Sequence, residues 1–304
     1  MSRLVKCWPA IKGGITLTVY TSHCIVTRPP EHTTPTSRIY FQPITLENPV
    51  ASTAPIITRA LVNPANEELI GTVLPYFPMA GPPPEELFTT NWGGASAGSG
   101  MFYSMQSVDG IVTLHGGDPL RKACKELPVH KNVELIGGGG NKSGTFGSVR
   151  CPVGSAVITK AFGRAVTKHY QYIVHAVPPL WTGIGGSKLS EGEATFLLRS
   201  CYYEAFKTGF VAGAAIVTSP LIGVGARSVP VPTAIDCAVK GVLNAMIVCG
   251  YRNSKLENQR KSRNLKDSSV PLPPIAAEIV VLDPWIAVDL VNAIDHELDV
   301  YSAS

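Results

Sequence analysis

Short apolar runs that suit buried strands alternate along this chain with longer segments of helical periodicity. Each strand-like run is followed by a turn-forming residue, and the runs cover residues 38–41, 56–62, 170–177, 212–218 and 279–282. The segments with an apolar face at helical spacing cover residues 114–127, 192–208, 233–249 and 285–298. Because strands that are buried on both faces need a helical layer on each side, this alternation predicts an α/β fold built on a mostly parallel sheet.

Three further segments depart from this alternation. Residues 15–26 alternate apolar and polar side chains, which predicts an additional N-terminal strand. Two segments rich in Gly and Pro, at about residues 72–106 and 129–149, fit neither the strand nor the helix pattern. Loops of this length are uncommon inside a compact domain unless they are functional or disordered, so both are interpreted as inserts.

The composition excludes a disordered chain and does not by itself indicate a nucleic-acid-binding one. Of the 304 residues, 45% are hydrophobic and 16% are charged, so the chain can bury a sizeable core and is not disordered throughout. The formal net charge of +4 is too small to indicate a nucleic-acid-binding protein by itself. The basic run at residues 255–266 is interpreted as a solvated loop, with a phosphate-contacting loop as the alternative.

The seven cysteines are odd in number, widely spaced and without a C-x-x-C pair. This pattern argues against a disulfide framework or a zinc site, and it favours an intracellular protein of the cytoplasm or nucleus. The first 30 residues carry basic but no acidic side chains, which leaves a mitochondrial location as an alternative. No uninterrupted apolar stretch of 18 residues occurs, so no membrane partner is expected. The histidines lack metal-ligand spacing, and we expect neither a metal nor a cofactor.

Three polar or glycine-rich features fall at the strand ends, where open α/β sheets bind their ligands. In Val62-Asn63-Pro64-Ala65-Asn66, the amides either bond ligand hydroxyls or form a turn. In Val108-Asp109-Gly110, the carboxylate either acts as an acceptor or base, or caps a helix. Residues 222–230 either bring backbone N–H groups close to a phosphate or form an ordinary strand-to-helix turn.

Five segments of the chain, taken in order, resemble the macrodomain family. Residues 62–66 resemble the family's V-N-A-A-N motif, and residues 108–110 resemble its V-D-G. Residues 151–159 resemble C-x-x-G-x-A-x-x-T, residues 172–179 resemble Y-V-I-H-x-V-G-P, and residues 220–230 resemble P-x-I-S-T-G-x-F-G-Y-P. Each motif alone is weak, but five in the family's order are far more specific.

The resemblance implies a three-layer α/β/α macrodomain sandwich with a central mixed, mostly parallel sheet. The macrodomain would cover residues 38–304 and carry the two inserts, after an N-terminal extension of residues 1–37. It also implies binding of ADP-ribose and of mono-ADP-ribosylated proteins by a monomer. The subgroup that this chain resembles hydrolyses ADP-ribose linked to acidic side chains of proteins and deacetylates O-acetyl-ADP-ribose.

The family's functional positions carry over residue by residue. Asp109 would place or activate water at the distal ribose, which Asn66 would contact, and both are predicted to be catalytic. His175 is interpreted as structural. The residues predicted to bind the ligand, at the adenine, the ribose and the diphosphate, are Ile44, Asn63, Gly110, Gly223, Val224, Gly225, Ala226, Arg227, Ser228 and Leu282.

Several positions depart from the family pattern. Met105-Gln106-Ser107 replaces a triple glycine, and Pro43 replaces the Asp that reads adenine. Thr113 replaces the subgroup's His, and Arg227 replaces an aromatic residue and is predicted to pair with phosphate instead. These departures keep two alternatives to the hydrolase open: a non-catalytic ADP-ribose reader, and a module that binds RNA or poly-ADP-ribose.

Overall fold

The computed structural model of the protein describes most of the chain outside the predicted inserts. The described residues are 3–11, 15–21, 57–71, 76–79, 100–103, 107–131, 148–183, 187–225, 227–262, 275–281 and 283–303. The strand predicted at residues 38–41 and the predicted ligand-binding residues Ile44, Ala226 and Leu282 lie outside these ranges.

A mixed seven-stranded sheet forms the centre of the fold. In chain order its strands are β1 (Arg3–Ile11), β2 (Ile15–Thr21), β3 (Arg59–Pro64), β6 (Ala156–Lys160), β7 (Tyr172–Ala176), β8 (Ile216–Pro220) and β9 (Ala276–Val281). Their spatial order is β1-β2-β9-β8-β3-β7-β6, in which the five inner strands are parallel and the two edge strands are antiparallel to their neighbours. The predicted mostly parallel sheet and the predicted N-terminal strand are confirmed.

Five helices are described. They are α1 (Val108–Glu126), α2 (Arg164–Thr167), α3 (Glu191–Val211), α4 (Val231–Ser262) and α5 (Pro284–Ala303). Apolar side chains of α3, α4 and α5 share one core with one face of the sheet, and those of α1 and α2 share a second core with the other face. Helices therefore cover both faces of the sheet, as predicted.

Helix α1 begins six residues earlier than the periodicity predicts. Ser107 caps it by accepting a hydrogen bond from the backbone N–H of Gly110, so that Val108-Asp109-Gly110 forms the first turn of the helix. The helix is kinked at Gly117, whose φ of 54° and ψ of −149° are not helical. The kink interrupts the helical spacing of the apolar residues. The periodicity therefore predicts mainly the second half of α1.

Two other predicted boundaries are wrong. The strand predicted at residues 212–218 begins only at Ile216, because α3 extends to Val211 and is followed by Gly213 at a φ of 91°. Helix α4 continues past the predicted end at residue 249 to Ser262, so most of the basic run is helical and not a loop. Lys, Arg, Glu and Gln are good helix formers, and they sustain a helix where the apolar pattern stops.

Strands also occur inside the first predicted insert. There β4 (Tyr76–Met79) pairs antiparallel with β5 (Gly100–Tyr103) in a separate two-stranded sheet. The sequence pattern predicts neither strand, because both are only four residues long.

The first part of α4, Val231–Gly250, has the length and hydropathy of a membrane-spanning helix. Within this window, 56% of the residues are buried inside the protein, where α4 packs against α3 and α5. A buried core helix shares these properties of length and composition, and the buried apolar side chains of this segment belong to the core.

Candidate functional site

A cluster of buried polar side chains lies where β3 and β7 end beneath the first turn of α1. Strand residues two apart point to the same face of a sheet, so Asn63 lies on the face of Leu61 and His175 on the face of Ile173. Leu61 and Ile173 belong to the core that α1 shares. Because Asn63 is also the register partner of His175, both side chains lie side by side under α1.

Asn63 connects the strands to the carboxylate of Asp109. Its Nδ2 donates to Asp109 Oδ1 over 2.8 Å and lies 3.3 Å from His175 Nδ1. Asn63 and Asp109 are 2% and 4% exposed, so this hydrogen bond is shielded from water. The structure thus brings together Asn63 and Asp109, which are 46 residues apart in the chain.

His175 contacts the same Asn63 amide nitrogen that donates to Asp109. Its Nδ1 faces an N–H donor and must accept, which places the proton on Nε2, where Thr159 Oγ1 lies at 3.0 Å. Burial lowers the pKa of His175 to about 4, so the ring is neutral near pH 7. The imidazole therefore orients the Asn63 amide, in agreement with its interpretation as a structural residue.

This buried imidazole makes the stability of the protein depend on pH. In the unfolded chain His175 has an ordinary pKa of 6.5 and binds a proton at a pH where the folded chain does not. Its contribution to the free energy of unfolding should therefore fall by about 2 kcal/mol between about pH 7.5 and about pH 5. Urea denaturation at both pH values, compared with the His175→Gln variant, measures this contribution. Equal pH dependence of the two proteins would contradict it.

Cys124 also lies beside the histidine, with its Sγ 3.7 Å from His175 Nε2. A cysteine next to a histidine is a nucleophile only when the thiol is ionised. Burial, with a smaller effect of the Asp109 charge, raises the pKa of the Cys124 thiol to about 11. The pair therefore does not supply a thiolate near neutral pH, and Asp109 is the ionisable group that this site offers for chemistry.

A small cavity borders this cluster. Its lining residues are Asn63, Ala65, Leu69, Ile70, Gly71, Asp109, Thr113, Leu120, Arg121, Cys124 and His175. Its volume of about 10 Å³ is close to the space that one water molecule needs. The described residues thus leave room for a water molecule beside the Asp109 carboxylate.

Asn66, the second residue predicted to be catalytic, is used differently. Its Oδ1 accepts a hydrogen bond from the backbone N–H of Ile70 over 3.2 Å, and its backbone oxygen accepts from Leu69. The side chain therefore forms the turn after β3 and is absent from the lining of the cavity. The predicted role of Asn66 stays a prediction, and Asn63 is the asparagine that contacts Asp109.

The loop between β8 and α4 carries the residues predicted to hold a diphosphate. Gly223 has a φ of 96°, which favours glycine, and Ser228 has a φ of 57°, which is rare for a residue with a side chain. The loop is closed by hydrogen bonds from Ser228 N to Gly225 O and from Val229 N to Gly223 O. This geometry holds a tight glycine-containing turn at the N-terminus of α4, where backbone N–H groups and the helix dipole favour an anion.

A buried tyrosine of α3 forms a hydrogen bond with the backbone at the start of this loop. Ile222 N donates to the hydroxyl of Tyr202 over 2.5 Å, and that hydroxyl lies 3.4 Å from Ile222 O. Tyr202 is fully buried, so its hydroxyl satisfies a backbone group that water cannot reach.

Removal of this hydroxyl should destabilise the protein. We expect Tyr202→Phe to lower the free energy of unfolding by about 1–3 kcal/mol, because the buried N–H of Ile222 loses its acceptor. The matched control is Tyr203→Phe at the next residue, which is only half-buried and should change stability by less than about 0.5 kcal/mol. Urea denaturation of both variants measures the difference, and equal losses would contradict the supporting role of Tyr202.

Arg227 lies inside the protein beneath the loop. It is 6% exposed, and its Nη2 donates to the backbone oxygen of Ala65 over 3.4 Å. Burial lowers its pKa, while the charges of the buried carboxylates Glu67 and Asp109 raise it. Arg227 thus neutralises buried negative charge between the turn after β3 and the first turn of α1. Its predicted contact with phosphate would require the side chain to leave this position.

Sequence reasoning missed four residues of this site. Glu67 and Tyr202 carry no motif, and Thr159 ends the C-x-x-G-x-A-x-x-T motif without any sign in the sequence that it contacts His175. Cys124 lies within the helix predicted at residues 114–127, and nothing in that pattern indicates that it contacts His175. A signal for Thr159 exists in hindsight, because it lies two residues after Val157 and so points to the α1 side of the sheet. Among the described residues, no group of three His, Cys, Asp or Glu side chains could hold a metal ion.

Part of the chain is similar to a known protein family. Residues 96–238 match the family model for the Macro domain, a segment that includes Asp109, His175 and the loop before α4. A macro domain-containing protein of Streptomyces coelicolor is 28% identical over 149 residues, which are 43% of this chain and 82% of that protein.

Two solved structures show a similar fold. The Oceanobacillus iheyensis macrodomain with MES bound has a TM-score of 0.51 at 16% identity, covering 98% of this chain and 98% of that chain. A variant of the same macrodomain with ADPR has a TM-score of 0.50 at 16% identity, covering 98% of this chain and 100% of that chain. The predicted α/β macrodomain fold is thereby confirmed. Residues 96–238 are thus similar to the Macro domain family, and the chain has the fold of the macrodomains.

Proposed function

We propose that this protein binds ADP-ribose and hydrolyses the ester between ADP-ribose and an acidic side chain of a protein, or O-acetyl-ADP-ribose. The observation that carries the proposal is the buried carboxylate of Asp109, held by Asn63 beside a cavity with room for one water molecule. A similar macrodomain whose structure contains ADPR supports ADP-ribose as the ligand.

The protein's own groups suggest how the reaction proceeds. In this proposal the diphosphate binds along the backbone of residues 223–228, at the N-terminus of α4, and the distal ribose binds at Asp109. Asp109 accepts a proton from the bound water while the water oxygen forms a bond to the anomeric carbon. The bond between that carbon and the ester oxygen breaks, and the acidic side chain leaves as a carboxylate. Asp109 then passes the proton to solvent.

A non-catalytic reader of ADP-ribose is the second candidate. The observation that favours it is the position of Asn66, whose side chain bonds the backbone of Ile70 and does not reach the cavity. A reader would keep the diphosphate loop and its support by Tyr202, but it would not turn over its ligand.

Turnover distinguishes the two candidates. The purified protein is incubated with a protein that carries mono-ADP-ribose on acidic side chains, and free ADP-ribose is measured over time. A second substrate modified on arginine serves as the control for linkage. The proposal predicts release from the ester-linked substrate and none from the arginine-linked one. A protein that binds ADP-ribose but releases none from either substrate is a reader.

A further inference from the structure

The amide of Asn63 has more hydrogen-bonding capacity than the described contacts use. Its Nδ2 carries two hydrogens, one directed to Asp109 Oδ1 at 2.8 Å and the other to His175 Nδ1 at 3.3 Å. If the amide were flipped, its oxygen would face the Asp109 carboxylate, and two acceptors would be in contact. The Asp109 carboxylate therefore fixes the orientation of the amide, and His175 Nδ1 is the acceptor in that orientation.

Among the described residues, this orientation leaves the buried Asn63 Oδ1 without a hydrogen-bond partner. The whole residue is only 2% exposed, and a buried acceptor without a donor is costly. Asn63 also borders the cavity that has room for about one water molecule, together with Asp109 and Thr113. A water molecule there would have donors and acceptors on several sides, as buried waters require.

We propose that Asn63 is a positioning residue that holds both the Asp109 carboxylate and the water molecule beside it. Nδ2 fixes the carboxylate, Oδ1 receives a hydrogen bond from the water, and His175 with Thr159 fixes the amide. The family resemblance instead implies that Asn63 contacts the ligand. The catalytic consequence rests on the proposed hydrolysis, whereas the water position is a property of the free protein.

The kinetic test separates positioning from binding and from loss of stability. We expect Asn63→Ala to lower kcat by about 100-fold, because a misplaced carboxylate and water lose alignment. The Kd for ADP-ribose should change by less than about threefold, because Asn63 makes no contact with the ligand in this proposal. The matched control is Ser190→Ala, which removes the capping box of α3 outside this site and should leave the rate unchanged.

A pH profile adds a readout that a purely structural role would not change. Asn63→Asp keeps the size of the side chain but places a second carboxyl group against Asp109, and two such groups share a proton. The activity of this variant relative to the natural protein should fall as the pH rises through the titration of that pair. A constant ratio across the pH range would overturn the positioning role.

A high-resolution crystal structure of the free protein tests the water position without any assay of activity. We expect an ordered water molecule within about 3.2 Å of Asn63 Oδ1 and of the Asp109 carboxylate. Absence of that water, or an Asn63 amide turned away from Asp109, would overturn the inference. If the water is present but the protein turns over no substrate, the proposed hydrolysis fails and the positioning of Asp109 stands. If Asn63→Ala is as active as Ser190→Ala, the inference fails and the hydrolysis stands.

Discussion

Replacement of Arg227 with Met should lower the free energy of unfolding by about 3–5 kcal/mol. The guanidinium is buried, and the charges of Glu67 and Asp109, which are each 4% exposed, favour its protonated form. Met retains most of the apolar length of the side chain but leaves both buried carboxylates without the positive charge of Arg227. Urea denaturation near pH 7 measures the loss.

A second variant shows whether charge or packing causes this loss. Glu67→Gln removes one of the two negative charges, so Arg227→Met should cost less in that background than in the natural protein. The double-mutant cycle should give a coupling energy of at least about 1 kcal/mol, as expected for groups that interact directly. Additive losses, or a loss below about 1 kcal/mol for Arg227→Met alone, would show that Arg227 does not neutralise this cluster.

Asp109→Asn should lower kcat on an ester-linked substrate by about 10²–10⁴-fold, the usual contribution of a general base. Asparagine has nearly the same shape and still accepts the hydrogen bond from Asn63, so the fold and the ADP-ribose affinity should be retained. Rates at saturating substrate and calorimetric titration with ADP-ribose separate the two effects.

The matched control for this substitution is Asp289→Asn on α5. Asp289 is exposed and belongs to a helix on the opposite side of the sheet from α1, so its neutralisation should leave the rate unchanged. If Asp109→Asn retains the rate within about threefold, Asp109 is not the base. If the variant loses ADP-ribose affinity to the same extent as it loses rate, Asp109 contributes to binding instead.

The fold was largely predictable because the residues of its core recur in the sequence with the periodicity of strands and helices. Apolar runs such as 170–177 correspond to strands buried on both faces, and Gly192 to Thr208 lies on a helix with a clear apolar side. This periodicity does not predict the ends of helices that depend on capping or on helix propensity. Ser107 caps α1 before the apolar pattern begins, and polar residues with high helix propensity extend α4 to Ser262.

The sequence predicted several residues of the candidate site but not the contacts between them. The motifs identify Asn63, Asp109 and the loop before α4, which the structure places at the same edge of the sheet. They do not show that Asn63, and not Asn66, contacts Asp109, because that depends on where β3 ends: Asn63 lies on the strand, whereas Asn66 lies in the turn after it. They also cannot show that Arg227 is buried near Glu67, since 160 residues separate the two in the chain.

Calorimetric titration of the purified protein with ADP-ribose, with AMP as the control ligand, tests the central claim most directly. The proposed site predicts a Kd for ADP-ribose near 1 μM, about −8 kcal/mol, and much weaker binding of AMP, which lacks the distal ribose that the proposal assigns to Asp109. No heat of binding at millimolar ADP-ribose would contradict the claim. The protein would then have the macrodomain fold without a site for this ligand.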